Sequence, residues 1–229
     1  MATDGTGTRA VVITGASSGI GEACALRLDK AGWRVFAGVR KEADAERLKQ
    51  EGSERLTPVF MDVIDEGSIM KAEETVRNAV GEVGLAGLVN NAGVGIHGPL
   101  EFLLLEDLRR QLEVNTIGQI AVTQAFLPLI RKGRGRIVNI GSIGGKMATP
   151  FLGPYSASKF AMEALTDSLR QELRPWDIHV AIVEPGSIAT PIWDKGQAGA
   201  DEMEQKLPEE AMKLYGTAVD AMLTAARRF

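Results

Sequence analysis

A chain of 229 residues, 45% hydrophobic and 24% charged with a formal net charge of −4, has the composition of a soluble globular protein and is long enough to bury a sizeable apolar core. The mild acidity and the lack of a long basic run argue against nucleic acid as a partner, because such a surface repels a phosphate backbone. The opening MATDGTGTRA lacks the basic and apolar parts of a signal peptide, and no apolar run is long enough for a membrane span. Cys24, the single cysteine, forms no zinc-spaced set with His97 and His179, so a cytoplasmic protein without disulfide or metal is expected.

Six short runs rich in β-branched residues read as strands: RAVVIT (9–14), WRVFAGV (33–39), LTPVF (56–60), LAGLVN (85–90), RIVNIGS (136–142) and IHVAIVEP (178–185). After the first, Ile20, Cys24 and Leu28 recur every four residues as a helix face, with Cys24 a small core residue, and Gly32 supplies the stop. The second connection, residues 43–51, is rich in Glu, Lys and Ala and reads as a solvent-facing helix. In the third, Ile69, Ala72, Val76 and Ala79 form a stripe that would pack on a sheet. No linker, repeat or shift of composition interrupts the alternation. It predicts one α/β domain over residues 1–229, a doubly wound parallel sheet with helices on both faces; for a Rossmann-type sheet the usual order is 3-2-1-4-5-6.

Open parallel sheets bind ligands at the carboxyl ends of their strands, and the first strand here runs into TGASSGIG (14–21). Gly15, Gly19 and Gly21 allow a tight turn and close approach to a pyrophosphate at a helix start; a plain glycine turn is the bland alternative. Three residues separate the first two glycines, a spacing that differs from G-x-G-x-x-G. After the second strand, Val39 stands where an acid would bond the ribose 2′-OH of NAD, and Arg40 and Lys41 follow. That pattern favours the 2′-phosphate of NADP(H) over NAD(H), against the alternative of a solvated basic turn. In YSASK, Tyr155 and Lys159 stand four apart at a helix start and leave one face together. A neighbouring ammonium favours the phenolate of a tyrosine that is otherwise a poor base at neutral pH.

With these residues placed, the chain resembles the short-chain dehydrogenase/reductase family from about residue 8 to about 190. TGASSGIG, with Gly15, Ser17, Ser18, Gly19, Ile20 and Gly21, resembles its cofactor glycine motif, NNAG (90–93) its motif after the fourth strand, and EPGSIAT (184–190) its segment after the sixth. Asn115 in EVNTIG, Ser142, Tyr155 and Lys159 resemble its catalytic set. The resemblance implies that Tyr155 exchanges a proton with the substrate oxygen, Ser142 holds that oxygen, Lys159 also bonds the nicotinamide ribose, and the Asn115 main chain holds a water linking Lys159 to solvent. It further implies that Asp62 and Val63 meet the adenine, that Asn90, Ala92 and Gly93 contact the cofactor while Asn91 is structural, and that Pro185, Gly186, Ile188 and Thr190 border the nicotinamide. Asp62 as a helix cap is the structural alternative.

The segments VGIHGPL, IGGKMATPF and PIWDKGQAGADEM follow strand ends and offer Ile96, His97, Ile143, Met147, Phe151, Ile192 and Trp193 as an apolar pocket, His97 as a wall. VFAGVRKEADAERL and YGTAVDAM are similar to the hydroxysteroid and retinol dehydrogenase branch, which implies a bulky apolar ketone or alcohol as substrate. A 3-oxoacyl-thioester reductase and a nucleotide sensor without chemistry are the alternatives. The chain stops at Phe229, before the further helix and seventh strand that members usually carry. Helices around 106–131 and 156–174, which commonly build a dimer bundle in the family, imply a homodimer, with a tetramer the larger alternative.

Overall fold

The computed structural model describes residues 9–186, 188 and 207–226. Six parallel strands, β1 (Ala10–Ile13), β2 (Arg34–Val39), β3 (Leu56–Phe60), β4 (Gly87–Asn90), β5 (Arg136–Ile140) and β6 (His179–Val183), form one sheet. The order is β3-β2-β1-β4-β5-β6, the one expected of a Rossmann-type sheet. Every residue of the central β1 is buried, which is why its sequence is continuously apolar rather than alternating. Ala10 and Val12 face one apolar cluster, and Val11 and Ile13 face the other. α1 (Gly19–Lys30) and α2 (Glu42–Glu51) cover the face of Val11 and Ile13. α3 (Glu66–Val80), α5 (Gly118–Gly133) and the later part of α6 (Gly153–Glu172) cover the opposite face through Val76, Phe126 and Leu169.

Two helical faces differ from their sequence reading. On α1 the buried line is Gly21, Ala25 and Asp29, while Ile20, Cys24 and Leu28 are half-buried. Small residues win the contact line because the helix starts too close to the sheet for larger ones. A Cβ on Gly21 would lie 2.4 Å from the Gly15 carbonyl oxygen. Gly32 ends α1 as expected, at φ +84°, where Gly32 N–H donates to Asp29 O and Trp33 N–H donates to Leu28 O. α2 is less solvent-facing than its composition suggests, since Ala45 and Leu48 are buried against the sheet. The α3 stripe packs as read: Ile69, Ala72 and Val76 are buried and Ala79 is packed against them.

α4 (Leu105–Leu112) runs into a wide π turn at Glu113–Ile117 before α5 begins. α7 (Glu209–Ala226) follows β6 in the described chain. No helix among the described residues is long and apolar enough to cross a membrane.

Candidate active site

At the carboxyl end of β1, Gly15 turns the chain with φ +62° and Gly19 with φ +61°. The turn presses against the segment after β4: a Cβ on Gly15 would stand 2.7 Å from the Ala92 Cα. Thr14 Oγ1 accepts from the backbone N–H groups of Asn91 and Ala92, both at 2.9 Å. The Asn91 amide donates to the carbonyls of Thr14 and Gly15, each at 3.0 Å. The Asn91 side chain thus holds the turn to the segment after β4. The side chain of Asn90 turns to the other face of the sheet. It is buried, donating to Thr123 Oγ1 at 2.8 Å and Asn139 Oδ1 at 2.9 Å, and Asn139 in turn donates to Thr166 Oγ1 at 2.8 Å. The alternation of a strand sends Asn90 to the helix-covered face, where a polar side chain must find partners.

Arg40 at the end of β2 reaches Asp62 at the end of β3, Nη1 to Oδ2 3.8 Å, with the guanidinium side chain 64% exposed. Asp62 also accepts from the Ile64 N–H at 3.3 Å, and Val63 beside it is buried. From α2, Arg47 donates to the Ser17 carbonyl at 2.7 Å and pairs with Glu22. It holds the glycine turn from behind and has no conspicuous sequence signal, because the pairing is between helices.

The end of β5 brings the reactive side chains together. Ser142 accepts from the Gly144 N–H at 3.0 Å and hydrogen-bonds the Tyr155 hydroxyl. Lys159 donates to the Ile140 carbonyl at 2.8 Å and lies 5.7 Å from the centre of the Tyr155 ring. Burial governs both titrations. It raises the Tyr155 phenol above its ordinary value, opposed by the Ser142 hydrogen bond, and lowers the buried Lys159 to about 8. The sequence expectation that the ammonium pulls the phenol down is overridden, because the folded chain removes both groups from water.

Asn115 lies in the π turn with its side chain buried. It accepts from the Val94 N–H at 2.8 Å and donates to the Val94 carbonyl at 2.9 Å and to Ser158 Oγ at 3.1 Å. Gln111, one turn earlier, and Ser158, between Tyr155 and Lys159, were not singled out from the sequence. The four-residue step from Gln111 to Asn115 was the available signal.

Around this centre stand Ile96 and His97, half-buried, and Ile143 and Met147, exposed. Burial lowers the His97 imidazole, consistent with a neutral wall. Phe151, at φ +66°, accepts through its carbonyl from the Gly98 N–H at 2.8 Å, and its ring meets Tyr215 of α7 edge-on. The Pro185 carbonyl accepts from the Ile143 N–H at 3.1 Å, which ties the segment after β6, with Gly186 and Ile188, to the Ser142 loop. Thr190, Ile192 and Trp193 lie outside the described residues.

A glycine turn locked to the segment after β4, with serine, tyrosine and lysine gathered at the end of β5, fits a dinucleotide-dependent reaction centre. The sequence profile described as short chain dehydrogenase matches residues 9–201. The chain belongs to the short-chain dehydrogenase/reductase family.

Within this family, the chain is 42% identical over 222 residues to retinol dehydrogenase 5 of Mus musculus, covering 95% of this chain and 70% of the relative. It is 44% identical over 210 residues to 17-beta-hydroxysteroid dehydrogenase type 6 of Bos taurus, covering 90% and 66%. With dehydrogenase/reductase SDR family member 9 of Bos taurus it shares 45% identity, over 80% of this chain and 58% of the relative, so it spans well under the full length of some relatives. Among solved structures, 3-ketoacyl-(acyl-carrier-protein) reductase from Brucella melitensis, complexed with NADH, superposes with a TM-score of 0.76 at 31% identity, covering 80% of this chain and 77% of that one. A short chain dehydrogenase from Burkholderia cenocepacia in complex with NADP superposes at 0.74 with 31% identity, covering 82% and 76%. The chain is an oxidoreductase homologue with the Rossmann-like fold of that family.

Proposed function

We infer that residues 1–229 form one catalytic domain that transfers hydride between NADP(H) and a carbonyl or secondary alcohol, with a bulky apolar ketone or alcohol as substrate. The observation that carries this reading is the meeting of Ser142, Tyr155 and Lys159 at the end of β5, beside a glycine turn too tight for a side chain. The residues present fit a dinucleotide. The tight turn admits a pyrophosphate against bare backbone, and the exposed Arg40 has its guanidinium in solvent at the end of β2, suited to a 2′-phosphate. Gly19, Ser17, Ser18 and Ile20 of that turn would hold the pyrophosphate, Asp62 and Val63 the adenine, and Pro185, Gly186 and Ile188 the nicotinamide, together with Thr190, which lies outside the described residues. Ala92 and Gly93 would hold the adenosine, and Asn90, whose side chain is bonded to Thr123 and Asn139, would contribute its main chain.

When bound, the cofactor supplies or accepts the hydride. In reduction, Ser142 orients the carbonyl oxygen and steadies its developing charge, and Tyr155 gives it the proton. Lys159, held by Ile140, keeps a positive charge behind the phenol and replenishes its proton, and Asn115 continues that route through its main chain. The wall of Ile96, Ile143 and Met147 supports an apolar substrate, as do the names of the retinol and hydroxysteroid dehydrogenase relatives. A thioester on an acidic carrier finds less support. Lys146, the cation beside Met147, is paired with Glu163 at 2.9 Å and with Glu184 at 3.5 Å. A nucleotide sensor has no use for the three reactive groups together. Exposed Ile117 and Phe160 support a homodimer, which light scattering would exclude by returning a monomer mass at micromolar concentration. Residence in the cytoplasm completes the reading, and imaging of the tagged full-length protein on a membrane would refute it.

The test is Tyr155→Phe, assayed with NADPH and a panel of apolar ketones. Turnover should fall by about 100-fold or more while nucleotide fluorescence still reports binding. Undiminished turnover would refute the assignment of Tyr155, and a preference for NADH in the same titration would overturn the cofactor assignment.

A further inference from the structure

Two side-chain amides do the work of a missing strand in this site. The segment after β4, residues 94–98, carries Ile96 and His97 of the pocket wall and, among the described residues, pairs with no neighbouring strand. Gly98 N–H donates to the Phe151 carbonyl, and the backbone of Val94 and Ile96 is met by Gln111 and Asn115, four residues apart on one side of the α4–π-turn helix. Gln111 is fully buried. Its Oε1 accepts from the Ile96 N–H at 2.7 Å, and its Nε2 donates to the Val94 carbonyl at 2.9 Å. Asn115 adds its own donor and acceptor to Val94. Three backbone groups of the wall segment are thus satisfied by two side chains.

The same amides grip the catalytic helix. Ser158 stands in α6 between Tyr155 and Lys159, fully buried. Its hydroxyl donates to the Tyr155 carbonyl at 2.7 Å and accepts from Asn115 Nδ2 at 3.1 Å and Gln111 Nε2 at 3.4 Å. A hydroxyl has one proton and two lone pairs, so this hub uses its full capacity. Thr116 Oγ1 donates to the Ser158 carbonyl at 3.2 Å and fixes the same turn from the other side. The position of the pocket wall and the position of the Tyr155 turn are therefore set by one polar network.

Resting on the oxidoreductase reading above, we propose that Gln111 is a positioning residue for the reaction: it fixes the distance between the substrate wall at residues 94–98 and the Tyr155 hydroxyl through Ser158. Gln111 touches neither the reacting groups nor the glycine turn. Its loss leaves the Ile96 N–H unpaired and frees the wall to move relative to Tyr155. A misplacement of about 1 Å costs as much as 100-fold in rate.

The experiment compares Gln111→Leu and Gln111→Glu with the wild type on the best ketone of the panel. For Gln111→Leu, kcat/KM should fall about tenfold to 100-fold, with the loss divided between a higher KM and a lower kcat. NADPH affinity should stay at the wild-type value, because the glycine turn is untouched. Gln111→Glu keeps the shape but turns a donor into an acceptor facing the Val94 carbonyl. A buried carboxyl titrates high, and once protonated it donates again. Its activity relative to wild type should therefore recover as the pH falls, a pattern that mere loosening of the fold does not produce. If Gln111→Leu fails to fold, the pH ratio of Gln111→Glu decides. A wild-type kcat/KM in Gln111→Leu, or a ratio for Gln111→Glu that does not change with pH, would overturn the proposal while leaving the oxidoreductase reading intact. A wild type that binds NADPH yet reduces no ketone, and oxidises no alcohol with NADP, would overturn the oxidoreductase reading and this proposal with it.

Discussion

Replacing Gly15 with alanine adds one methyl group at the tightest point of the site, and its cost is the sum of two separable effects. The first is backbone strain: Gly15 sits at φ +62°, where a side chain costs about 1–2 kcal/mol. The second is contact. The new Cβ would stand 2.7 Å from the Ala92 Cα and 3.1 Å from its nitrogen, where ordinary contact begins at 3.4 Å. Both neighbours are backbone, so the turn and the segment after β4 must part. The Asn91 bonds to the carbonyls of Thr14 and Gly15 lengthen with that movement, at about 1 kcal/mol each. The total is about 3–4 kcal/mol, a melting-temperature loss of about 6–16 °C for a chain of this size. Gly32→Ala is the matched control, because Gly32 sits at φ +84° with nothing within 4 Å of the added methyl. It suffers the strain alone, about 2–8 °C, and should keep wild-type NADPH affinity. Gly15→Ala should also weaken NADPH by about tenfold or more, since the displaced turn is the one proposed to meet the pyrophosphate. Thermal melts and fluorescence titrations of the two variants read both effects. Equal melting losses with wild-type affinity in Gly15→Ala would refute the argument that Ala92 makes glycine obligatory there.

Arg40→Ala should weaken NADPH by about tenfold to 100-fold with little effect on NADH, as expected when a hydrogen-bonded charge partner of a 2′-phosphate is lost; equal losses for both nucleotides in the titration would contradict that. Reduction should lose kcat/KM above pH 8 or so, as Lys159, lowered to about 8, gives up its charge, while Tyr155 stays protonated; a pH–rate profile flat to pH 10 would remove Lys159 from the proton route. The same lysine shapes stability. Its folded value lies below the unfolded one of about 10.4, so the unfolded chain holds more protons between these limits and stability rises with pH across that window. Chemical denaturation should show the rise in the wild type and lose it in Lys159→Met; an unchanged slope would count against burial as the cause of the shift.

The sheet was legible because each strand of this fold is short, apolar and separated by a helix, so the parallel direction follows from alternation, while the order is that of the Rossmann type. The reactive set was legible for a related reason: Tyr155 and Lys159 are neighbours on one helix, and their spacing is visible without the fold. Helix faces were less so. Ile20, Cys24 and Leu28 have the period of a buried line, but the approach of α1 to Gly15 reserves the contact for Gly21 and Ala25. Distance in space, unlike period, leaves no mark in a local window. Asn90 and Asn91 illustrate the same limit. Adjacent residues of one type take opposite faces at the end of β4, and which of them is buried with Thr123 depends on the helix that covers the sheet. The links from Gln111 and Asn115 to Ser158 span 47 and 43 residues, so only folding reveals that they share a hydroxyl.

Proton chemistry at this site turns on a competition that residue type alone does not decide. Beside a charged ammonium in water, a phenol becomes a better acid; inside this fold, removal from water shifts both groups toward neutrality, and burial is the largest cause for each. Tyr155 therefore starts as a neutral phenol at pH 7, while Lys159, at about 8, is still about nine-tenths protonated. A neutral phenol backed by a nearby ammonium is prepared to give a proton, which is what carbonyl reduction asks of it. Alcohol oxidation asks for the phenolate first, and the fold opposes that state by burial. The nucleotide ratio sets the direction of net flux, but the starting protonation state belongs to the fold. On the proposed reading, a neutral phenol suits proton donation to a carbonyl, and the phenolate that alcohol oxidation needs forms only as the medium becomes alkaline.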